Sequence, residues 1–142
     1  DVRNFGSGNA GATNTFRVLG KKAGIFVLFC DVLKGFLATH LGTLLLERDN
    51  IVKDDLIYYQ MACGILAIIG HIYPIFANFK GGKGVATILG MVIALHPQVS
   101  LLSILVFLLI LIATHYVSLG SIIAGFSFPI FLMTVPVFRQ NN

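Results

Sequence analysis

Long apolar stretches dominate this chain of 142 residues and restrict what it can fold into. Hydrophobic residues make up 56% of the sequence and charged residues 11%, and the mean hydropathy is +0.88. A water-soluble domain does not reach such values, because it needs a largely polar surface. The composition therefore predicts an integral membrane protein without a separate soluble domain.

Five apolar segments are candidate crossings, since a helix rises ~1.5 Å per residue and the hydrocarbon core is ~30 Å thick. They are residues 23–46, 56–79, 85–95, 99–114 and 121–138. The third is short for a full crossing, so its helix is expected to begin below the membrane surface. Pro74, Pro129 and Pro136 are kink candidates. The predicted fold class is all-α: a polytopic transmembrane helix bundle of about five spans, forming a single membrane domain over residues 1–142.

Two glycine-rich segments interrupt the apolar pattern. We call residues 6–17 (GSGNAGATNTFR) the first motif and residues 79–87 (FKGGKGVAT) the second motif. Two predicted spans separate them, so both motifs are expected on the same side of the membrane. Cations near this side outnumber those near the other, which predicts that the loops 1–22 and 80–84 are cytoplasmic. The first group is Arg3, Arg17, Lys21, Lys22, Lys80 and Lys83, and the second is Arg48, Lys53 and Arg139.

The second motif is suited to binding an anion. It precedes an apolar helix, whose free N–H groups and dipole attract negative charge, and its lysines add full charges. The candidate phosphate-binding residues are Lys80, Gly81, Gly82, Lys83 and Gly84. The spacing does not match a nucleotide-binding P-loop. A flexible interfacial loop whose lysines contact lipid headgroups is the structural alternative.

The first motif combines glycines with hydroxyl, amide and guanidinium groups, which could satisfy the oxygens of a phosphate. Its candidate phosphate-binding residues are Ser7, Gly8, Asn9, Thr13, Asn14 and Arg17. Thr13 or Asn14 is also expected to cap a short helix over residues 15–19, which Gly20 would end. Close helix packing through glycine and alanine is the structural alternative.

Three ionisable residues lie within the predicted spans. Asp31 and Lys34 are three residues apart on one helix face, and they form either an internal ion pair or a pair that positions the site. His71 precedes the second motif and is either a general base or, with more weight, a hydrogen-bonded packing histidine. No metal-ligand pattern such as H-E-x-x-H is present, so neither a catalytic metal nor a cofactor is predicted.

Several segments, in the order in which they occur, resemble the sequence motifs of one known family. These are GSGNAGATN followed by Thr15, Phe16 and Arg17, then DVLKG at residues 31–35, GHIYPIF at residues 70–76 and the second motif. Together they resemble the bacterial acyl-phosphate:glycerol-3-phosphate acyltransferase family, also called PlsY. The resemblance covers residues 3–87, and beyond them it depends on the pattern of spans and on the HYVSL stretch that begins at His115.

The resemblance implies a seven-span bacterial inner-membrane enzyme of phospholipid synthesis. It would move a fatty acyl group from acyl phosphate to the 1-hydroxyl of glycerol 3-phosphate, giving lysophosphatidic acid. Ser7, Arg17 and Lys83 would lie at the family's phosphate-binding positions and act in catalysis. The helix before the first motif and a last span with a third motif would lie outside this chain. The chain, which opens on Asp1 without an initiator Met, is therefore expected to be a fragment.

Two other functions compete with acyl transfer. A transporter of a phosphorylated solute would also need a cationic site between spans. A non-catalytic scaffold that binds anionic lipid headgroups is a weaker candidate. Nucleic acid is not an expected partner, because the cations cluster beside spans and do not form a stripe. The expected partners are glycerol 3-phosphate, acyl phosphate and membrane lipids, and the protein is expected to be a monomer.

Overall fold

The computed structural model describes residues 1–49 and 55–134, in which the regular elements are helices. Six α-helices follow one another: α1 (Ala12–Leu19), α2 (Lys21–Asp49), α3 (Leu56–Ile72), α4 (Val85–Leu95), α5 (Pro97–Thr114) and α6 (Val117–Thr134). Short 3₁₀ turns cover Val2–Asn4 and Ile75–Ala77. The predicted all-α fold is confirmed. Lys53, Pro136, Arg139 and the end of the predicted span 121–138 lie outside the described residues.

Four described helical segments are long and apolar enough to cross a membrane. They are Lys21–Leu44, Leu56–Ala77, Pro97–Thr114 and Val117–Thr134. Helix α4 is apolar but has only 11 residues, about 16 Å at 1.5 Å per residue, which is roughly half of a hydrocarbon core. The third predicted crossing is thus a short helix with the expected bounds, 85–95.

Two local predictions differ from the structure. Helix α1 begins at Ala12 with Gly11 at the N-cap, so the prediction that Thr13 or Asn14 caps it is wrong. The second predicted span does not continue as one helix to residue 79, because α3 ends at Ile72. Pro74 explains this end, since it lacks an N–H and restricts the residue before it. It precedes the Ile75–Ala77 turn and does not kink a continuous helix. Gly20 ends α1 as predicted.

The chain divides into two compact units, residues 1–95 and residues 96–142. In the first unit α2 packs against α1, α3 and α4. Helices α2 and α4 approach so closely that a Cβ at Gly35 would overlap the Thr87 carbonyl, and a Cβ at Gly90 would overlap the Val32 carbonyl. Small residues allow this because two apolar helices in lipid associate through close packing. In the second unit α5 packs against α6.

Candidate functional site

A cleft of about 250 Å³ opens in the first unit where the chain before α1, the middle of α2, the end of α3 and the second motif meet. Its polar lining comes from segments that are far apart in sequence. The lining residues with titratable side chains are Arg3, Asp31, Lys34, His71 and Lys80, and Gly81 and Gly82 of the second motif also line the cleft. A neighbouring cleft of about 310 Å³ shares Arg3 and Lys80 with the first.

The first motif folds around the side chain of Asn14, which is only 1% exposed. Asn14 Oδ1 accepts a hydrogen bond of 2.8 Å from the Ser7 N–H. Asn14 Nδ2 donates to three backbone carbonyls at 2.9–3.0 Å, those of Val2, Phe5 and Asn9. Because these backbone groups use the amide, Asn14 shapes the loop from inside it. Its predicted role as a direct phosphate ligand does not fit this geometry.

Arg3 joins the chain before α1 to the segment that leads into the second motif. Its Nη1 donates hydrogen bonds to the carbonyls of Ala77 at 2.8 Å and Lys80 at 3.2 Å. Its Nε lies 2.9 Å from Asp1 Oδ2. Near the start of α1, a Cβ added at Gly11 would be 3.9 Å from Gly82 Cα and 4.0 Å from Lys83 N. The two glycine-rich segments therefore meet.

The second motif caps the end of α3. The Gly81 N–H donates to the Ile72 carbonyl at 3.1 Å, and the Gly82 N–H donates to the His71 carbonyl at 3.2 Å. These bonds satisfy carbonyls that the last turn of a helix leaves without an intrahelical partner. The N–H groups of Gly81 and Gly82, two of the predicted phosphate-binding residues, are therefore already engaged by carbonyls of α3.

A cluster of Asp31, Lys34 and His71 lies on one wall of the cleft. Lys34 Nζ is 2.6 Å from Asp31 Oδ1, which confirms that the two side chains pair on one face of α2. His71 Nδ1 is 3.4 Å from the same oxygen, and the side chains of His71 and Asp31 are 9% and 8% exposed. Lys34 is more accessible, with 43% of its side chain exposed, so its ammonium group can reach a solute in the cleft.

The start of α4 provides free backbone donors next to the first motif. The first bond of this helix runs from the Ile88 N–H to the Gly84 carbonyl at 2.8 Å, so helix geometry leaves the N–H groups of residues 84–87 without intrahelical acceptors. Gly84 has a φ of 79°, which favours glycine and turns the chain into the helix. Lys83 stands just before this end with an exposed side chain. The arrangement is electropositive and favours an anion.

The structure divides the sequence-predicted site residues into groups. Asp31, Lys34, His71, Lys80, Gly81 and Gly82 line the first cleft, and Gly8 and Lys80 line its neighbour. Ser7, Thr13, Arg17 and Lys83 are exposed and are not among the lining residues of these two clefts. Asn9 Oδ1 accepts from the Gly11 N–H at 2.8 Å, which closes the turn before α1.

The lining residues that the sequence did not indicate as site residues are Arg3, Ala10, Gly70, Pro74 and Ala77. The sequence indicates Arg3 only as a cation near the membrane. Its position three residues before the first motif was the available signal, but its carbonyl partners lie more than seventy residues away. In the described part of the chain, no group of three or more histidine, cysteine or acidic side chains is arranged to hold a metal.

Comparison with known proteins identifies relatives along nearly the whole chain. The profile of a family described as glycerol-3-phosphate acyltransferase matches residues 1–140. A glycerol-3-phosphate acyltransferase of Fusobacterium nucleatum is 47% identical over 131 residues, which are 92% of this chain and 63% of the relative. One of Aquifex aeolicus is 48% identical over 132 residues, 93% of this chain and 65% of the relative. The chain thus spans less than two thirds of the length of these relatives.

Two solved structures share the fold. A crystal structure of PlsY, an integral membrane glycerol 3-phosphate acyltransferase in its glycerol 3-phosphate form, has a TM-score of 0.80 and 45% identity, covering 98% of this chain and 68% of that one. The lysophosphatidic acid form has a TM-score of 0.75 and 44% identity, covering 94% of this chain and 66% of that one.

Proposed function

This chain belongs to the glycerol-3-phosphate acyltransferase family, and we propose that the protein moves a fatty acyl group from acyl phosphate to the 1-hydroxyl of glycerol 3-phosphate. The product would be lysophosphatidic acid, a precursor of phospholipids. The observation that carries the proposal is the cationic cleft at the meeting point of two glycine-rich segments. A relative of this fold at 45% identity has been solved in a glycerol 3-phosphate form, which supports the choice of substrate.

Lysine and arginine side chains would hold the substrate phosphates. Lys34 and Lys80 line the cleft, and Arg3 is occupied in its contacts with backbone carbonyls and Asp1. Arg17, Lys83 and the hydroxyl of Ser7 would approach the phosphate from the exposed side, together with the N–H groups at the start of α4. A phosphate oxygen gains roughly 1.5–3 kcal/mol from each charge-assisted hydrogen bond, so a few such contacts hold a small phosphoester.

The proposed reaction requires the protein to position its two substrates and does not require a covalent acyl-enzyme intermediate. Acyl phosphate is a mixed anhydride, so its carbonyl carbon is already activated. The 1-hydroxyl oxygen of glycerol 3-phosphate attacks that carbon, the bond from the carbon to the phosphate oxygen breaks, and the released phosphate takes the hydroxyl proton. The protein would align the two substrates and stabilise the charge on the oxygens with its cations. No nucleophilic side chain or resident metal is part of this proposal.

The site would lie near the membrane surface, where a phosphate stays in water and an acyl chain stays in lipid. Apolar side chains of the Ile75–Ala77 turn and of the first residue of the second motif are highly exposed: Ile75, Phe76 and Phe79 at 71%, 104% and 61%. Exposed apolar side chains that are grouped in this way are typical of a surface that contacts lipid. We propose a bacterial inner membrane location with the motif loops on the cytoplasmic side, and a monomer as the working unit.

The direct test is an assay of the protein at its full natural length. Purified protein in detergent, given acyl phosphate and glycerol 3-phosphate, is expected to produce lysophosphatidic acid and inorganic phosphate in equal amounts. Acyl-coenzyme A in place of acyl phosphate should give no product. Sealed vesicles containing the protein test the alternative: uptake of intact glycerol 3-phosphate without product would identify a transporter and contradict the enzyme.

A further inference from the structure

We propose that His71 is a positioning residue that sets the place of the second motif through direct packing against Gly82. The inference rests on the proposed acyl transfer and adds a role for a buried side chain that does not need to touch substrate. In this role the imidazole ring of His71 supports the glycine-rich loop, and Asp31 orients the ring.

The first observation is the fit between His71 and Gly82. A Cβ added at Gly82 would overlap His71 Nε2, with Cε1 only 2.8 Å away. The main chain of the second motif therefore lies directly on the ring. Glycine is required at residue 82 because any larger side chain would push the loop off this surface.

The second observation is that His71 holds the loop through its main chain as well. Its carbonyl accepts the hydrogen bond of 3.2 Å from the Gly82 N–H. The ring of His71 packs against Gly82, and the carbonyl of His71 accepts a hydrogen bond from it, so both groups hold the same residue. A rotation of the ring would move Gly82, and with it the adjacent Lys83 at the start of α4.

The third observation explains why the ring has a defined orientation. His71 Nδ1 is 3.4 Å from Asp31 Oδ1, and Asp31 is held by Lys34 at 2.6 Å. The Asp31 and His71 side chains are less than one tenth exposed. A side chain fixed by such neighbours can hold the substrate-binding loop in one position.

The test uses suppression between two positions in the full-length protein. Gly82→Ala is expected to raise the KM for glycerol 3-phosphate about tenfold, a change of 1.4 kcal/mol in binding, and to lower the Tm. Adding His71→Ala should remove the overlap. The double variant should therefore have the same Tm as His71→Ala alone, and its KM should lie within about threefold of the KM of that single variant. His71→Ala alone should raise KM while kcat changes little, as expected for a lost positioning contact.

Gly81→Ala is the matched control. A Cβ at Gly81 would overlap the His71 backbone carbonyl and lie 2.6 Å from Pro74 Cδ, and His71→Ala removes neither atom. Adding His71→Ala to Gly81→Ala should therefore restore neither KM nor Tm. Recovery of Gly81→Ala to the same extent would overturn the inference, because it would indicate general loosening of the loop.

Two further outcomes separate this inference from the proposed function. If the unmodified protein makes no lysophosphatidic acid, the proposed function fails, and the Tm values of the five variants still decide whether His71 supports Gly82. If the unmodified protein is active but His71→Ala leaves KM unchanged, or Gly82→Ala is not suppressed in either measurement, the positioning role of His71 is refuted.

Discussion

Asn14 Oδ1 accepts a hydrogen bond of 2.8 Å from the backbone N–H of Ser7, seven residues earlier in the chain. The same amide group donates to carbonyls on both sides of Ser7. A single buried side chain from α1 therefore organises the loop that displays the Ser7 hydroxyl and Gly8. The loop needs this support because it contains no regular secondary structure between Phe5 and Gly11.

Replacement of Asn14 should destabilise the protein. Asn14→Ala would remove the hydrogen bonds to the Ser7 N–H and the Asn9 carbonyl and one of two bonds to each of the Val2 and Phe5 carbonyls. Each intramolecular hydrogen bond contributes about 0.5–1.5 kcal/mol. We expect a loss of about 2–3 kcal/mol, measured as a fall in the Tm in detergent, together with a loss of activity. Thr13→Ala, at an exposed neighbouring position, should change stability by less than about 0.5 kcal/mol. Equal Tm values for both variants would contradict the assignment.

Arg3→Lys should loosen the connection between the two glycine-rich segments. A single ammonium group cannot reproduce the fork that reaches the Ala77 and Lys80 carbonyls and Asp1 together. The amides of Phe79 and Lys80, which bond to Pro74 and Ala77 carbonyls, should exchange their hydrogens about tenfold faster, equivalent to about 1.4 kcal/mol of lost local stability. The Ile88 amide in α4 serves as the internal reference, and uniform acceleration there would argue against a local tether.

Arg17→Ala and Lys83→Ala should each reduce acyl transfer without unfolding the protein. Both side chains are exposed, so their removal disturbs little packing. Loss of about 1.5–3 kcal/mol per charge-assisted contact predicts that kcat/KM falls by roughly tenfold to a hundredfold or more. Lys21→Ala and Lys22→Ala, exposed at the start of α2, are the charge-matched controls. Near-normal turnover in either test variant would remove that residue from the site.

The two glycine-rich segments should have the same accessibility from one side of the membrane. The test introduces Ser7→Cys or Lys80→Cys, both at exposed positions, into a protein in which Cys30 and Cys63 are replaced by alanine. Each new cysteine should react with a membrane-impermeant maleimide in inside-out vesicles and not in intact cells. Asp55→Cys, just before α3, should show the opposite pattern. Labelling of Ser7→Cys and Lys80→Cys from opposite sides would exclude a shared site in the membrane.

Patterns in the chain were sufficient to predict the helical fold, and the expectation that the two glycine-rich segments converge agrees with their contact in the structure. The apolar runs predicted the helical bundle, and α4 has the predicted bounds. The spacing of Asp31 and Lys34 predicted their pairing, because residues three apart share a helix face. Helix ends were less accurate where tertiary contacts decide them: α1 starts at Ala12 because Asn14 is used inside the loop and does not act as a cap.

The sequence by itself determined that this chain forms membrane helices, since backbone groups in lipid must find their partners within a helix or barrel. It also determined that glycines and cations gather in two segments. Only the tertiary structure decided which of those groups face a cleft and which are engaged in hydrogen bonds and packing contacts within the protein. Arg3 binds carbonyls near residue 80, and Gly82 lies on the ring of His71. These contacts depend on how helices approach one another, which local sequence does not encode.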